Sequence, residues 1–377
     1  MIDLLIDTHF FPLVLLAVFV FSWMAQLFFY WWFYWRLARF QQPPLPEKFP
    51  GVSVVISAHN EYHQLKENLP LVLEQDYPKY EVLMVDHASD DDTRYLLSSL
   101  EEQYPKLKSI TIREDLNFFS GKKFPLSIGI KSAHYPILLL TDADCRPASS
   151  QWIKEMVSGF GPNTEVVLGY GAYNKAKGIL NKLIRFDTAH IAMQYLSFAL
   201  AGIPYMGVGR NLSYLKEAFY RKNGFISHYQ IRSGDDDLFI NSVATSANTT
   251  IRINKESFTL SDPKQTLEKW ITQKKRHLST SIHYKIKHKL LLGAYSLSLL
   301  LFYSLFILMV SLSVSTFPVL LLALLRLVSQ YVVFSKCMHR LDEKDLILFI
   351  PVLDLFMLLF NVSIVVSNLF HKPGKWK

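Results

Sequence analysis

Cysteine and glycine are both scarce in this chain. Of 377 residues only two are cysteine and 15 are glycine. Because Cys145 and Cys337 lie far apart in the sequence, a framework of disulfide bonds is not expected. No GxxxxGK[ST] or GxGxxG pattern occurs, which excludes the usual glycine-rich loops that cradle phosphate groups. If this chain binds a nucleotide, its phosphates must be neutralised in another way, for example by a metal ion.

Charged residues are almost absent from four long apolar runs. The first two runs contain none, and the last two contain one each, Arg326 and Asp354. The runs are Phe10–Trp35, Leu290–Ser313, Phe317–Phe334 and Leu346–Phe370. At about 1.5 Å per helical residue, such runs can cross a hydrocarbon layer of about 30 Å. No small-residue cleavage site follows the first run, so it does not resemble a removable signal. The sequence predicts a membrane protein with one span before a polar centre and about three after it.

The polar centre is long enough for one large domain with its own core. We predict an N-terminal transmembrane helix in residues 1–39, a soluble domain in 40–289 and a C-terminal transmembrane region in 290–377. The net charge of +8 does not indicate nucleic-acid binding, because the basic residues gather at the ends of the apolar runs. Arg36 and Arg39 follow the first run, and Lys285, Lys287 and Lys289 precede the second. By the positive-inside rule, this pattern places the soluble domain in the cytosol.

Within that domain, short apolar runs alternate with helical patterns. The runs Val52–Ser57, Glu81–Val85 and Ile137–Leu140 are typical of buried strands, and polar residues follow each of them. Helical patterns follow the first two runs, as in right-handed βαβ units. We therefore predict an α/β domain with a Rossmann-like, mostly parallel sheet, whose ligands gather beyond the carboxyl ends of the strands.

The acidic pair Asp142 and Asp144 follows the third predicted strand. Carboxylates at positions i and i+2 that leave a strand point the same way, so together they can hold a hard divalent cation. The alternative interpretation is that two aspartates in a turn cap a helix or solvate a loop. The spacing alone does not separate these interpretations.

Several stretches in this order resemble the membrane-integrated branch of the family 2 inverting glycosyltransferases, which have the glycosyltransferase A-type fold. The resemblance extends from about Val52 to His277. Residues Ala58 to Glu61 resemble the loop after the first nucleotide-binding strand, which implies that Ala58, Asn60 and Glu61 bind the donor. Asp86 resembles the acidic residue that accepts a hydrogen bond from the base, although His87 stands where a second aspartate is usual.

Gly121-Lys122-Lys123 resembles the stretch whose first lysine approaches the donor diphosphate, which implies that role for Lys122. In Thr141-Asp142-Ala143-Asp144, which resembles the family's Asp-x-Asp motif, Asp142 would meet the nucleotide. Asp144 would hold Mg²⁺ or Mn²⁺, with Asp142 beside it.

Two stretches further along the chain complete the resemblance. Residues 233–238, Ser-Gly-Asp-Asp-Asp-Leu, resemble the motif that supplies the catalytic base. Alignment on Gly-Asp-Asp favours Asp236, and alignment on the final Asp-Leu pair favours Asp235. In Gln273-Lys-Lys-Arg276-His277, the resemblance implies that Gln273 and Arg276 bind the diphosphate, while His277 replaces a tryptophan that stacks on an acceptor sugar.

The resemblance implies an inverting, metal-dependent hexosyltransferase that uses a nucleotide-sugar donor, most often a UDP-sugar. Its acceptor would be a membrane lipid or a lipid-linked glycan, and its location a bacterial inner membrane with the catalytic domain in the cytosol. Two alternatives remain open at this point. One is a processive polysaccharide synthase. The small number of predicted spans and the presence of His277 in place of a tryptophan both count against it. The other is a non-catalytic membrane regulator that retains a nucleotide-binding domain.

Overall fold

The computed structural model describes residues 10–45, 49–113, 121–231 and 233–370. Residues 371–377 of the predicted C-terminal region lie outside these ranges. The contacts between Cα atoms divide the chain into two compact units. We call the described residues up to Phe40 together with Lys285–Ser367 the helical unit, and Gln41–Tyr284 the α/β unit.

The described residues contain ten strands, all in the α/β unit. They are β1 (Val52–Ala58), β2 (Tyr80–His87), β3 (Leu107–Ile112), β4 (Ile137–Leu140), β5 (Cys145–Pro147), β6 (Val166–Leu168), β7 (Gly171–Tyr173), β8 (Leu212–Leu215), β9 (Thr249–Ile251) and β10 (Thr259–Ser261).

Thirteen α-helices lie in the described residues. They are α1 (Phe10–Phe28), α2 (Trp35–Ala38), α3 (Tyr62–Leu73), α4 (Thr93–Gln103), α5 (Lys123–Ser132), α6 (Trp152–Val157), α7 (Ile179–Leu200), α8 (Lys216–Arg221), α9 (Asp237–Val243), α10 (Leu267–Ser281), α11 (Ile286–Ser311), α12 (Thr316–Arg340) and α13 (Ile350–Phe370). A π-helical segment, Phe29–Tyr34, joins α1 to α2.

Seven strands form the main sheet, in the order β3-β2-β1-β4-β8-β6-β9. The first four are parallel to one another, while β8 runs antiparallel to both of its neighbours and β6 pairs in parallel with β9. All residues of β1 and β4 are buried, as expected for parallel strands covered on both faces. The predicted α/β fold with a mostly parallel sheet is confirmed, and β1, β2 and β4 include the three runs predicted as strands.

Helices cover both faces of the parallel half. One face of β1, including Val54, packs in a core cluster with residues of α3, α4 and α6. The opposite face carries α5, where Gly129 lies so close to the sheet that a Cβ there would be 2.7 Å from Val55 and 3.0 Å from Val85. This close approach explains the glycine inside a helix. It also fixes the start of α5, with Lys122 and Lys123, near the carboxyl ends of the strands.

A smaller sheet lies beyond the end of β4. Its three strands follow the order β5-β10-β7, with β10 antiparallel to β5 and parallel to β7. Since β5 begins at Cys145, directly after Asp144, the acidic pair occupies the short connection between the two sheets.

The helical unit contains four helical segments that are long and apolar enough to cross a membrane. They are Phe11–Ala38, Ile286–Ser311, Thr316–Arg340 and Lys344–Ser367. Arg326 and Asp354, the charged residues inside the last two, form an ion pair with 2.9 Å between Arg326 Nη2 and Asp354 Oδ2. Both side chains are almost completely buried, and Tyr303 and Gln26 also make hydrogen bonds in this cluster. The apolar segments at both ends of the α/β unit therefore agree with the predicted transmembrane helices.

Candidate active site

The loops that follow β1 and β2 are joined by hydrogen bonds. The backbone N–H of Asn60 donates to Ser89 Oγ (2.9 Å), and Asn60 Oδ1 accepts from the N–H of Asp90 (2.7 Å). Asn60 has a φ of 57°, a left-handed conformation that asparagine tolerates better than most residues. The N–H of Glu61 donates to Thr93 Oγ1 at 3.2 Å. Asn60 and Glu61 thus lie at the carboxyl edge of the sheet, as the sequence predicted.

Asp86 lies near the end of β2, beside Ala58 in the parallel register of β1 and β2. Its side chain is almost completely buried, and Asp86 Oδ1 accepts a 2.5 Å hydrogen bond from Ser89 Oγ. A buried carboxylate needs such donors, because an unpaired charge is strongly disfavoured away from water. A ligand N–H group that reaches the second oxygen would add another.

The acidic pair forms a compact group beyond β4. Asp142, Asp144 and Cys145 each offer one possible ligand atom, and these three atoms lie within 4.8 Å of one another. Asp142 Oδ1 also accepts a hydrogen bond from Lys122 Nζ in a salt bridge. Burial works to raise the pKa of Asp142, but Lys122, together with Arg210 and Arg276, holds that pKa below its ordinary value. Asp142 is therefore ionised and balanced by cations.

The donor atoms of this group fit a hard divalent cation. Burial, and then the charges of Asp144 and Asp142, raise the pKa of the Cys145 thiol far above its ordinary value. The thiol therefore keeps its proton and is a weak donor, 3.4 Å from Asp144 Oδ1. Only carboxylate oxygens remain as ligands, and these suit Mg²⁺ and Mn²⁺ while leaving open positions for substrate oxygens.

The charges of Asp144, Lys122 and Asp142 also act on Glu61. Burial and the charge of Asp144 raise its pKa to about 7, although Lys122 opposes this shift. The nearby carboxylates thus repel one another in the absence of a cation. Such repulsion favours the binding of a positive ion at this edge of the sheet.

Asp236 is the N-cap residue of α9. Its Oδ1 accepts from the N–H of Asp237 and its Oδ2 from the N–H of Gly209, each at 2.7 Å. Burial, followed by the charges of Asp235 and Asp237, raises the pKa of Asp236 to about 8. A carboxylate with a pKa in this range can accept a proton near neutral pH and hold it.

Gly209 connects the two acidic groups. A Cβ at Gly209 would lie 3.4 Å from Asp236 Oδ2 and 3.8 Å from Asp142 Oδ1. The two carboxylates therefore face the same small space from different loops. The structure thus brings together the residue that the sequence predicted on the nucleotide side and the residue that it predicted as the base.

The other two acids of the triplet have different surroundings. Asp237 is buried, and its Oδ2 accepts hydrogen bonds from Thr280 Oγ1 and from Tyr284 Oη, the latter at 2.7 Å. Asp235 lies in the turn before α9 and is partly exposed. Of the three, Asp236 is the one that lies beside Gly209 and Asp142, while Asp237 links α9 to the end of α10.

The predicted diphosphate-binding residues of α10 lie on the same side of the α/β unit. Gln273 Nε2 donates to Tyr173 Oη at 3.1 Å. Arg276 is near enough to Asp142 to help keep it ionised, and its Nε is buried with no hydrogen-bond partner among the described residues. An anionic ligand would supply the acceptor that this N–H group lacks. His277 is exposed.

Arg210 lies in the stretch Gly207 to Tyr214, which resembles the family loop that lines the donor and acceptor pocket, but no role was predicted for Arg210 itself. Its carbonyl oxygen accepts from Thr141 Oγ1 and from Thr259 Oγ1, each at 2.9 Å, which joins its loop to both sheets. Its guanidinium lies 4.3 Å from the ring centre of Tyr173 and donates to Ser261 Oγ at 3.1 Å. The charge of Asp142 also acts on this guanidinium. An arginine directly after Gly209 in an otherwise apolar loop was the signal that could have marked it.

Lys123, the second lysine of the pair, was interpreted only as part of the Gly-Lys stretch. Its side chain is buried, and its Nζ donates to the backbone carbonyls of His228, Ile231 and Ser233. No pattern in the sequence indicates that these carbonyls, more than a hundred residues later, converge on one lysine.

Comparisons with known proteins identify the family and the fold of the chain. A sequence model described as glycosyl transferase family 21 matches residues 14–373. Among curated relatives, glycosyltransferase AglE of Haloferax volcanii is 33% identical over 111 residues, which are 29% of this chain and 35% of that protein. A beta-monoglucosyldiacylglycerol synthase of Synechocystis sp. is 28% identical over 142 residues, or 37% of this chain and 28% of that protein. The matched stretches thus span only about a third of these relatives.

A solved structure covers much more of the chain. The mannosyltransferase PcManGT from Pyrobaculum calidifontis, in complex with GDP-Man and Mn²⁺, aligns with 91% of this chain and 98% of its own. The TM-score is 0.58 and the sequence identity 19%, which shows a shared fold and no more. The family match and this likeness confirm the predicted recognition of a glycosyltransferase with the A-type fold. The chain belongs to glycosyl transferase family 21.

Proposed function

We propose that this protein is an inverting, metal-dependent glycosyltransferase of a bacterial inner membrane, with its α/β unit in the cytosol. It moves a hexosyl group from a nucleotide diphosphate donor, foremost a UDP-sugar, to a hydroxyl of a membrane lipid or lipid-linked glycan. The observation that carries the proposal is that a Cβ at Gly209 would lie 3.4 Å from Asp236 Oδ2 and 3.8 Å from Asp142 Oδ1, so the two carboxylates lie close to one another beside this glycine. This closeness supports a donor-side role for Asp142 and the role of base for Asp236.

The donor would bind across the loops that follow β1, β2 and β4. Asp86 has a carboxylate oxygen suited to an N–H group of the base, and Ala58, Asn60 and Glu61 line the same edge. Lys122, Gln273 and Arg276 would contact the diphosphate, since two of them carry positive charge and Arg276 Nε has no partner in the described residues. Arg210 adds a third cation near Asp142.

Asp144, together with Asp142, would hold Mg²⁺ or Mn²⁺. When bound, the ion neutralises charge that develops on the departing diphosphate. This role agrees with the fit of the carboxylate oxygens described above. The Mn²⁺ in the structure of the Pyrobaculum mannosyltransferase supports the choice of ion for a first experiment.

Asp236 would act as the general base. It accepts a proton from the acceptor hydroxyl, whose oxygen then attacks the anomeric carbon from the face opposite to the leaving diphosphate, with inversion. General-base assistance of this kind contributes about 100-fold to 10,000-fold to a rate. The two backbone N–H groups on Asp236 fix the direction of its lone pairs.

Two observations support an acceptor in the membrane. Four helical segments are long and apolar enough to span a bilayer. One of the relatives is named for the synthesis of a glucosyl lipid, although it matches over a limited stretch. The exposed His277, in place of a stacking tryptophan, favours a single sugar addition over polymer synthesis.

The experiment that tests the proposal is a screen of UDP- and GDP-sugars with the full-length protein in lipid vesicles, in which released nucleotide and glycosylated lipid are both measured. We expect one donor to be consumed in the presence of Mn²⁺ or Mg²⁺, with a product of one added sugar and inverted anomeric configuration. A ladder of products would favour the processive synthase, and turnover unchanged by EDTA would contradict a metal-dependent reaction.

The assignment of the base is tested with Asp236→Asn and, as its matched control, Asp235→Asn. We expect Asp236→Asn to lower the rate of transfer by about 100- to 10,000-fold and to leave UDP binding largely intact. Full activity in that variant with an inactive Asp235→Asn would move the base by one residue. Nucleotide binding without transfer in the unmodified protein, for every donor, would favour the regulator.

A further inference from the structure

The segment before Asp235 wraps around one buried ammonium group. Lys123 Nζ lies 2.7 Å from the carbonyl oxygen of His228, 2.5 Å from that of Ile231 and 2.8 Å from that of Ser233. Only 2% of the Lys123 residue surface is exposed. All three acceptors are backbone carbonyls, and the last of them, Ser233, is joined through Gly234 directly to the acidic triplet.

Three convergent carbonyls require a protonated lysine. An ammonium group has three N–H donors, so each carbonyl receives one hydrogen bond, whereas a neutral amine has only two. A buried carbonyl that loses its hydrogen-bond partner is strongly unfavourable, because it has no water to replace that partner. The path of this segment therefore depends on the presence of the ammonium and on its compact shape.

The charges around Lys123 come from both elements that face it. Burial lowers its pKa to about 8, and the carboxylates of Asp235, Asp237 and Asp236 oppose this shift. His228, on the facing segment, has its own pKa lowered to about 4, by burial first and then by Lys123, so it is neutral. The acidic triplet is thus the source of negative charge that favours the ammonium form.

Two consecutive lysines at the start of α5 reach different parts of the site. Lys122 pairs with Asp142, on the side where the donor would bind. Lys123 instead holds the backbone that leads to Asp236, on the side where the acceptor would bind. Both lysines lie at the N-terminus of α5. This one helix end therefore contacts Asp142 directly and also contacts the backbone that leads to Asp236.

We propose that Lys123 is a positioning residue for the reaction, which holds the backbone carbonyls of His228, Ile231 and Ser233 so that Asp236 meets the acceptor hydroxyl at the correct distance and angle. This inference rests on the proposed function, in which Asp236 is the base. Lys123 touches no reacting atom in this role. It acts on catalysis only through Asp236.

The first test is Lys123→Met, which keeps an unbranched side chain only one atom shorter and removes the three hydrogen bonds. A displacement of a catalytic group by about 1 Å can lower a rate by about 100-fold. We therefore expect kcat to fall by about 100-fold, while the dissociation constant for UDP with Mn²⁺ stays within about threefold of the unmodified protein. An unchanged kcat, or an equal loss of UDP binding, would overturn the proposal.

Lys216→Met is the matched control. Lys216 Nζ also donates to backbone carbonyls, those of Lys131 and Ala133, at 3.2 and 2.6 Å, but it does not contact the segment before the acidic triplet. We expect its kcat to remain within about threefold of the unmodified value, since the two bonds lost also join a lysine to backbone carbonyls but come from a half-exposed side chain at another place in the fold. A loss as large as that of Lys123→Met would show a general effect of removing bonds between a lysine and backbone carbonyls and would overturn the inference.

A double-mutant cycle separates positioning from mere support of the fold. In the Asp236→Asn background, Lys123→Met should not lower the residual rate further, because the base through which it acts is already removed. A further loss of similar size would overturn the inference. If Asp236→Asn itself is fully active, the assignment of Asp236 as the base in the proposed function fails; if it is inactive and Lys123→Met has a normal kcat, only the role of Lys123 fails.

Discussion

The backbone N–H of Gly209 donates a 2.7 Å hydrogen bond to Asp236 Oδ2. This bond joins the loop before β8 to the N-terminus of α9, and Asp142 approaches the same glycine from the end of β4. The absence of a side chain at Gly209 leaves the space between the two carboxylates open. A transferase needs such a space, since the acceptor oxygen and the anomeric carbon must approach one another between the base and the donor.

Gly209→Ala should fill that space without unfolding the protein. The new Cβ would lie 3.4 Å from its nearest neighbour, Asp236 Oδ2, which is an ordinary van der Waals contact. We expect kcat/KM for the acceptor to fall by about 10- to 100-fold, because the methyl group displaces the reacting groups by about 1 Å or more. UDP binding should change little. Steady-state kinetics and isothermal titration with UDP measure the two quantities.

The control for this substitution is Gly161→Ala. There a Cβ would be 3.8 Å from Thr164 Oγ1, with no other heavy atom within 4 Å, so the same chemical change is made in open surroundings. Its activity should equal that of the unmodified protein. An active Gly209→Ala would show that the reaction does not take place between Asp142 and Asp236.

The parallel half of the sheet could be predicted because its strands are buried on both faces. Such strands appear in the sequence as continuous apolar runs, and each is followed by polar residues at the same edge. The placement of Asp86 and Asp142 follows from this order. By contrast, β6, β7, β9 and β10 have only three residues each, too few for a period to be recognised.

The separate surroundings of the acidic triplet could not be predicted. Three adjacent aspartates look alike in the sequence, and their differences come from distant partners: Gly209 for Asp236, Thr280 and Tyr284 for Asp237. The same holds for Lys123, which looks like a second member of a solvated pair. Long-range hydrogen bonds of this kind leave no local pattern, so only the structure reveals them.

Lys122→Met should change the affinities for metal and nucleotide in opposite directions. Lys122 now neutralises Asp142, and a divalent cation must compete with it for that carboxylate. Without Lys122, Mn²⁺ alone should bind more tightly. UDP at saturating Mn²⁺ should bind about 10- to 100-fold more weakly, as expected for the loss of a charge-assisted hydrogen bond of about 1.5 to 3 kcal/mol.

Isothermal titration of each variant, first with Mn²⁺ and then with UDP, measures both changes. Lys131→Met provides the control, because Lys131 is an exposed lysine on the same helix, α5. It should leave both affinities unchanged. If Lys122→Met weakens Mn²⁺ binding instead, Lys122 does not compete with the cation at Asp142.

The raised pKa of Asp236 predicts a pH-dependent effect of Asp236→Asn on stability. In the unfolded chain this carboxyl titrates near its ordinary value of 3.8, and in the folded protein at about 8. The folded state therefore binds the proton more tightly, and its stability falls as the pH rises from about 4 to about 8. Asparagine does not ionise and escapes this loss. The midpoint of thermal unfolding of Asp236→Asn, relative to the unmodified protein, should rise between pH 5 and pH 9.

The measurement needs EDTA in both samples, since a bound cation would favour the ionised form of nearby carboxylates. Asp235→Asn serves as the comparison, because Asp235 is partly exposed in the turn. Its midpoint relative to the unmodified protein should depend less on pH. Parallel curves for the unmodified protein and Asp236→Asn would contradict the raised pKa.

The helical unit offers a prediction that is independent of catalysis. Arg326 and Asp354 form an ion pair in which each side chain is at most 3% exposed, and the Arg326 guanidinium also lies 4.8 Å from the ring centre of Phe302. Arg326→Leu would leave Asp354 buried without its partner. Removing one partner of a buried pair is unfavourable by about 3 to 5 kcal/mol, so the midpoint of thermal unfolding in detergent should fall strongly.

The double variant Arg326→Leu/Asp354→Leu distinguishes the pair itself from the unpaired charge. In this variant neither Arg326 nor Asp354 is left as a buried charge without its partner, and the two leucine side chains are apolar like the helices around them. Buried ion pairs replaced by apolar residues are often as stable as before. We therefore expect the double variant to recover most of the midpoint lost in Arg326→Leu. A double variant that is less stable than either single variant would show that the ion pair itself stabilises the folded protein, in addition to avoiding an unpaired buried charge.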